Sequence, residues 1–358
     1  MRRLVLERRM ETPWALTLAS PLLAVGLTLV SAVLVFLAMG RDPLEALFVY
    51  FVMPVSDLWG LQEVAVKATP LVLIAVGLAL CYRSNNWNIG AEGQFLMGAM
   101  AGGWLAVATH GMGAGAWVLP AMLAMGALGG ALFALIPALL KTRFGANEIL
   151  TSLMLVYVAE LLLDWLVRGP WRDPQGFNMP QTVVFAPEAT IPLLMEGGRL
   201  NLGTPIMLLV VVLVALMVAR TLKGFEITLV GEAPRAARFA GFDAKRLTWT
   251  VFAIAGGLAG LAGVLEAAGT VRMLQPGLSP GYGFTAIIVA FLGRLNPVGC
   301  LVAGVFLAIT FIGGENAQIM MQMPLDVTRV FQGLLLFYVL GCDTLLLYRV
   351  RWVRRAEA

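Results

Sequence analysis

A polytopic bundle of transmembrane α-helices is the fold class predicted, and three observations predict it. Hydrophobic residues make up 59% of the 358-residue chain and charged residues 13%, with a mean hydropathy of +0.85; a soluble domain carries about 25% charged residues. The apolar residues gather into ten segments, at 15–39, 63–82, 90–109, 115–140, 149–168, 204–221, 248–269, 283–293, 298–313 and 328–348. Several fall short of the roughly 20 residues of a full span, the eighth most of all. Lysine and arginine are then distributed unevenly over the intervening stretches. So much of the chain goes into spans that residues 1–358 are expected to form one transmembrane domain.

Taken in order, M-R-R-L-V-L-E-R-R-M is basic and precedes an apolar run that is too long for a signal-peptide core and has no clear cleavage site. A retained first span is expected. In the fourth segment Gly126 and Gly130, and in the seventh Gly256, Gly257, Gly260 and Gly263, give small-residue faces that let helices approach closely. Trp104, Trp117, Trp165 and Trp171 suit the membrane interface. Residues 169–203, with Pro170, Pro174, Pro180, Pro187 and Pro192, form the longest loop. A loop of that length serves as a cap or docking surface, or simply joins two halves.

Orientation follows from the basic residues. With the N-terminus inside, only Arg41, Lys67, Arg168, Arg172, Arg199, Arg272 and Arg329 of the 25 fall on the outer side or its margins. The other 18, from Arg2, Arg3, Arg8 and Arg9 through Arg83, Lys141 and Arg143 to Arg351, Arg354 and Arg355, fall inside. Both termini are therefore expected in the cytoplasm, 169–203 outside, and 222–247 inside. Spans 2–5 then begin outside and spans 7–10 inside, the geometry of an inverted repeat.

The net charge of +4 calls for no nucleic-acid partner; the bilayer is the environment implied. Cys81, Cys300 and Cys342 lie in or beside apolar stretches with no C-x-x-C spacing, and His110 is the only histidine. They support neither a metal site nor a disulfide framework. No nucleophile, metal set or acid–base pair converges, and no G-x-x-x-x-G-K-[ST] phosphate loop is present. The chain is not expected to be an enzyme or to hold a cofactor.

Three stretches carry functional signals. In Y-R-S-N-N-W-N-I-G-A-E-G-Q-F-L-M-G, residues 82–98, Asn85, Asn86, Asn88, Glu92 and Gln94 crowd the boundary of two spans, with Phe95 following. An ionisable group at membrane depth is functional by default, yet Glu92 in a first helical turn also suits the helix dipole. Pore lining and capping are both open and compatible. In residues 275–297, Pro276, Gly277, Pro280, Gly281 and Gly283 interrupt the backbone before the shortest span. Broken segments in matching positions of two halves point to a substrate pathway, and Tyr282 and Phe284 offer aromatic faces to a planar base or sugar ring. Glu160 and Asp164 share a face of the fifth span and Glu266 ends the seventh, which suits either an ion relay or hydrated charges near the interface.

The third stretch is K-G-F-E-I-T-L-V-G-E-A-P-R-A-A-R-F-A-G-F-D-A-K-R, residues 223–246. Pro234 suits a first helical turn and Gly241 a C-terminal stop, so Pro234–Ala240 is expected to be a helix of about two turns. So short a helix is not stable alone and needs a surface to dock against.

On these letters the chain resembles a known family. G-E-A-P-R-A-A-R-F-A-G-F is similar to the coupling loop of permease subunits of ATP-binding-cassette (ABC) importers for branched-chain amino acids, simple sugars and nucleosides. N-I-G-A-E-G-Q looks like the signature of the nucleoside-type branch. The resemblance implies a multi-pass permease of the cytoplasmic membrane, a second permease subunit, like or unlike, an ATPase carrying ATP and Mg, and an extracytoplasmic substrate-binding lipoprotein. It implies that Glu232, Pro234, Arg235, Ala237, Arg238 and Gly241 form the ATPase contact, with Ala237→Glu abolishing transport while leaving the protein in the membrane. It places Asn88, Glu92 and Gln94 near the translocation path, to which Phe95, Tyr282 and Phe284 are added. The expected cargo is a neutral polar solute, a nucleoside first and a simple sugar second. A stand-alone ion-coupled transporter using Glu92, Glu160 and Asp164 is the alternative from another class.

Overall fold

The computed structural model describes residues 2–8, 14–195, 197–324 and 326–354. Arg9 and Arg355, counted above with the basic residues, lie outside them. Each of the ten apolar segments is a helix, and among the described residues seven helices are long and apolar enough to cross a membrane. The described residues group into two compact units, one from the two ends of the chain (to Pro54 and from Thr310) and one from Val55–Ile309.

In the first unit, α1 (Trp14–Ala38) packs against α13 (Asp326–Leu347). α2 (Pro43–Leu47) follows α1 and packs against it; Asp42 caps α2 through Leu44 N, and α2 runs into a π-helical turn at Phe48–Val52. The sequence gives no period for this short apolar piece, and it is absent from the ten expected segments. Phe36, Tyr50 and Phe331 meet tilted or edge-on in a buried cluster, with ring centroids 5.2–5.6 Å apart. The Tyr50 hydroxyl is satisfied by Thr328 at 3.1 Å. Two strands, β1 (Arg2–Arg8) and β2 (Tyr348–Arg354), pair antiparallel with Arg2 opposite Arg354. They are an addition to the all-helical expectation.

The second unit is built around α3 (Leu58–Arg83), which is buried along most of its length. α7 (Gly203–Arg220), α10 (Ala244–Leu265) and α11 (Tyr282–Leu292) pack on it directly; α4 (Ala91–Ala108) and α5 (Val118–Phe144) pack on α10, α6 (Glu148–Arg168) packs on α4 and α5, and the part of α12 (Pro297–Met321) that ends at Ile309 completes the unit. The small-residue faces serve close packing: α5 and α10 meet where a Cβ on Gly130 would overlap the backbone of Gly256 and Gly260, and α10 meets α4 where one on Gly263 would overlap the backbone of Phe95. Gly257 lies outside this seam, its nearest neighbour being 3.5 Å from such a Cβ. Close backbone approach replaces the hydrophobic drive that is absent between helices in lipid.

Between α7 and α10 the chain forms α8 (Leu222–Glu232) and α9 (Pro234–Phe239). Only α9 is expected from the sequence; α8 begins at Thr221, whose hydroxyl accepts from Gly224 N at 3.3 Å. Within the 169–203 stretch, residues 182–191 lie on the segment after α10. Thr182 N donates to Leu274 O (3.0 Å), Phe185 N to Arg272 O (2.8 Å) and Ile191 N to Ala268 O (3.1 Å). It covers a π-helical turn at Glu266–Val271.

Candidate functional site

The chain leaves α3 at Arg83 and runs without helix through Ser84–Gly90, a passage in which Ser84, Asn86 and Asn88 are all buried. Buried irregular backbone must find its partners within the protein. It does so through its own asparagines. Asn88 and Gln94 exchange two side-chain bonds, Nδ2 to Oε1 and Nε2 to Oδ1, each 3.0 Å. Asn88 Oδ1 also accepts from Gly90 N (3.0 Å), and the Tyr82 hydroxyl donates to Asn88 O (2.9 Å). The amides at either end of N-I-G-A-E-G-Q thus lock the turn that starts α4.

The first turn of α4 presents Glu92, 3% exposed, to the first turn of α11. Glu92 Oε2 accepts from Gly283 N at 2.5 Å, and Glu92 also bonds the Ser279 side chain. The two interrupted segments singled out in the sequence therefore meet N-terminus to N-terminus, with one carboxylate between them. Both helices have N–H groups without an intrahelical partner and a positive dipole end there, which a carboxylate complements. Gly283 is required by the approach itself, since a Cβ would overlap the Glu92 backbone.

Ser279 is a residue that the sequence reading passed over. Its Oγ accepts from Gly281 N (3.2 Å) and Tyr282 N (3.0 Å), so it caps α11. It stands in G-L-S-P-G, which has G-x-S-x-G spacing. The sole histidine, His110, lies beyond the far end of the 18-residue α4, about 27 Å of helix from Glu92. Ser279 is thus a cap and not a nucleophile with its base.

Tyr282 is held a second time. Its hydroxyl lies 3.3 Å from Glu266 Oε1, in the π-helical turn, and its ring lies 5.9 Å from Phe95 and 5.8 Å from Lys67 Nζ. At the other end of α11, Phe291 stacks on Tyr82 and Trp87 at 5.2 and 6.1 Å. Asn88, Glu92, Gln94, Phe95 and Tyr282 are therefore one buried cluster. Phe284 does not belong to it; its ring is 41% exposed. Beside the cluster a cavity of about 300 Å³ is bordered by Glu92, Glu160, Asp164 and Ser279. Asp164 is paired with Arg168 at 2.8 Å, as a hydrated interface charge would be.

The second candidate site is α9. Pro234 occupies its first turn and Gly241 stops it with φ +84°, as the sequence predicts. Ala237 is 2% exposed and borders a pocket lined also by Pro234, Arg235 and Arg238. Ala237 O accepts from Phe242 N (3.0 Å), and the Phe242 ring meets Phe225 of α8 edge-on at 6.2 Å. The exposed face carries Arg235, Ala236, Arg238 and Phe239. Phe239 is 98% exposed, and the sequence reading did not single it out. On a six-residue helix no hydrophobic period can be read, so which side faces inward is decided by α8 and Phe242.

A family model described as the permease component of branched-chain amino acid transport systems matches residues 60–340, from α3 into α13. The chain is 36% identical over 357 residues to a glucose ABC transporter permease protein of Haloferax volcanii, covering 97% of this chain and 93% of that protein. It is 29% identical over 338 residues to a guanosine ABC transporter permease protein of Bacillus subtilis, covering 93% and 94%. A nucleoside ABC transporter permease protein of Lactococcus lactis is 26% identical over 327 residues, covering 89% of each.

Proposed function

We propose that this chain, which belongs to the family of branched-chain amino acid transport permeases and is a multi-pass membrane permease subunit of an ABC importer, moves a nucleoside inward. Family membership makes the ABC class, with its separate ATPase, the basis of the reading, and the stand-alone ion-coupled alternative is set aside. The observation that carries the nucleoside is N-I-G-A-E-G-Q, whose outer amides form the lock at the start of α4. The guanosine and nucleoside permeases among the relatives, each aligned over about nine-tenths of the chain, support it. The 36% identity to a glucose permease favours a hexose as the second reading.

In this account the ATPase sits on the exposed face of α9, with Arg235 and Arg238 pairing acidic groups and Phe239 filling an apolar hollow. Termini and α9 are cytoplasmic, a substrate-binding lipoprotein delivers from the other side, and a second permease subunit completes the pore. Closure of the ATPases pushes α9, and the helices shift between outward and inward openings that bind the solute differently. Asn88, Glu92, Gln94, Phe95 and Tyr282 are buried with their polar atoms engaged by protein, so they form the frame of the path. Phe284 is the one of the six candidates with an open ring, and it is the surface on which a base stacks.

The test is uptake by vesicles holding the chain with its partner subunits. Labelled guanosine entering in an ATP-dependent manner, with glucose excluded, supports the nucleoside. Glucose entering with guanosine excluded moves the assignment to the hexose.

A further inference from the structure

The buried passage between α3 and α4 is gripped from both flanks of the segment that carries α9. Before α9, Gly231 in the last turn of α8 lies so close to the Arg83 carbonyl that a Cβ there would overlap it and press on Ser84. After α9, Thr248 near the start of α10 divides its single hydroxyl proton between the Ala244 carbonyl (2.9 Å) and Asn86 Oδ1 (3.0 Å). Thr248 and Asn86 are both buried. The same Asn86 oxygen accepts from Lys141 Nζ, at the end of α5, at 2.9 Å. Lys141 is paired with Glu148, the first residue of α6, at 2.6 Å, and Glu148 accepts from Trp87 N at 3.4 Å. Asn86 Nδ2 donates back to the Ser84 carbonyl (3.2 Å) and hydroxyl (2.9 Å). Asn86 is therefore where α5, α10 and the passage are tied together.

Beyond Asn86 the passage has little slack. Ile89 N is fixed to Ser152 Oγ of α6 at 3.2 Å, and the Asn88–Gln94 pair joins the passage to the second turn of α4. A displacement delivered at Asn86 therefore reaches Glu92 as a movement of the whole turn, and Glu92 holds the N-terminus of α11. Packed elements pass such shifts on as discrete rearrangements rather than absorbing them.

We propose that Asn86 is the joint through which the α8–α10 segment moves the Glu92 clamp. It is a positioning residue, touching neither ATPase nor solute. The proposal rests on the reading that an ATPase seats on α9, and the test separates the two.

The complete complex, in vesicles, reads ATP hydrolysis and solute uptake on the same sample. Asn86→Ala and Thr248→Val are expected to keep hydrolysis near the wild-type rate while uptake per ATP falls about tenfold, the size of a typical coupling between sites. Thr248→Ser, which keeps the hydroxyl, is expected to restore uptake. A purely structural role would lower hydrolysis and uptake in parallel. That result, or unchanged uptake per ATP, overturns the proposal. If Asn86→Ala fails to insert, Thr248→Val carries the test, because it keeps the side-chain volume. Failure of the wild-type chain to retain the ATPase overturns the docking reading, and this proposal with it, before any variant is read.

Discussion

Gly283→Ala puts the contact between the two half-helices under direct stress. The added Cβ would overlap N and Cα of Glu92, both fixed in the first turn of α4, and the Glu92 carboxylate stands beside them. No flexible side chain can give way, so α4 and α11 must separate, and the Glu92–Gly283 bond is lost with the separation. Overpacking of this kind costs about 1–3 kcal/mol. Leaving a buried hydrogen-bonding group without its partner costs about 1–3 kcal/mol. The sum, about 2–6 kcal/mol, corresponds to a fall of roughly 10 °C in the melting temperature for a unit of this size. The assay is thermal unfolding of the purified protein in detergent, with Gly333→Ala as control. Gly333 has open space where its Cβ would go and no positive φ, so that variant is expected to melt with the wild type. A Gly283→Ala protein that also melts with the wild type would refute the contact and the frame built on it.

Three further predictions follow from the same geometry. Ala237→Glu places a charge in a buried position and is expected to lower the amount of protein in the membrane, whereas Phe239→Asp is expected to insert normally and lose the ATPase; quantitative blotting of membranes and of the purified complex reads both. Asn88→Ala leaves Gln94 and Gly90 N without their partner in a buried site, and a loss of about 2–4 kcal/mol is expected, read as an earlier thermal transition. Phe284→Ala removes the open ring and is expected to raise the half-saturating nucleoside concentration about tenfold, as the loss of one stacked base contact would, without changing the melting temperature.

How much of this was legible in the sequence depends on whether the cause is local. The ten helices follow from apolar runs, and the limits of α9 from Pro234 and Gly241, both of which act within one turn. That the third and eighth spans both begin at glycine-interrupted backbone was legible; that their N-termini meet was not, since Glu92 and Gly283 are 191 residues apart. The side of α9 that faces inward was not, since Phe242 and α8 decide it. The role of Asn86 was not either: its partners, Lys141 and Thr248, are 55 and 162 residues away, and no local pattern marks them. Ser279 was overlooked because its capping bonds depend on the left-handed Gly281, φ +102°, in a turn that contains two prolines. The terminal strands pair residues from the two ends of the chain, which periodicity within either end does not reveal.

The most direct measurement is purification of the chain from its native membrane, with the attached subunits identified by mass. The account predicts that an ATPase comes down with the wild-type chain and is lost when Phe239 is changed to Asp or when Arg235 and Arg238 are reversed to Glu. An ATPase retained by both variants would contradict the seat on α9. A chain that purifies alone and still transports in vesicles would contradict the coupling of this permease to ATP.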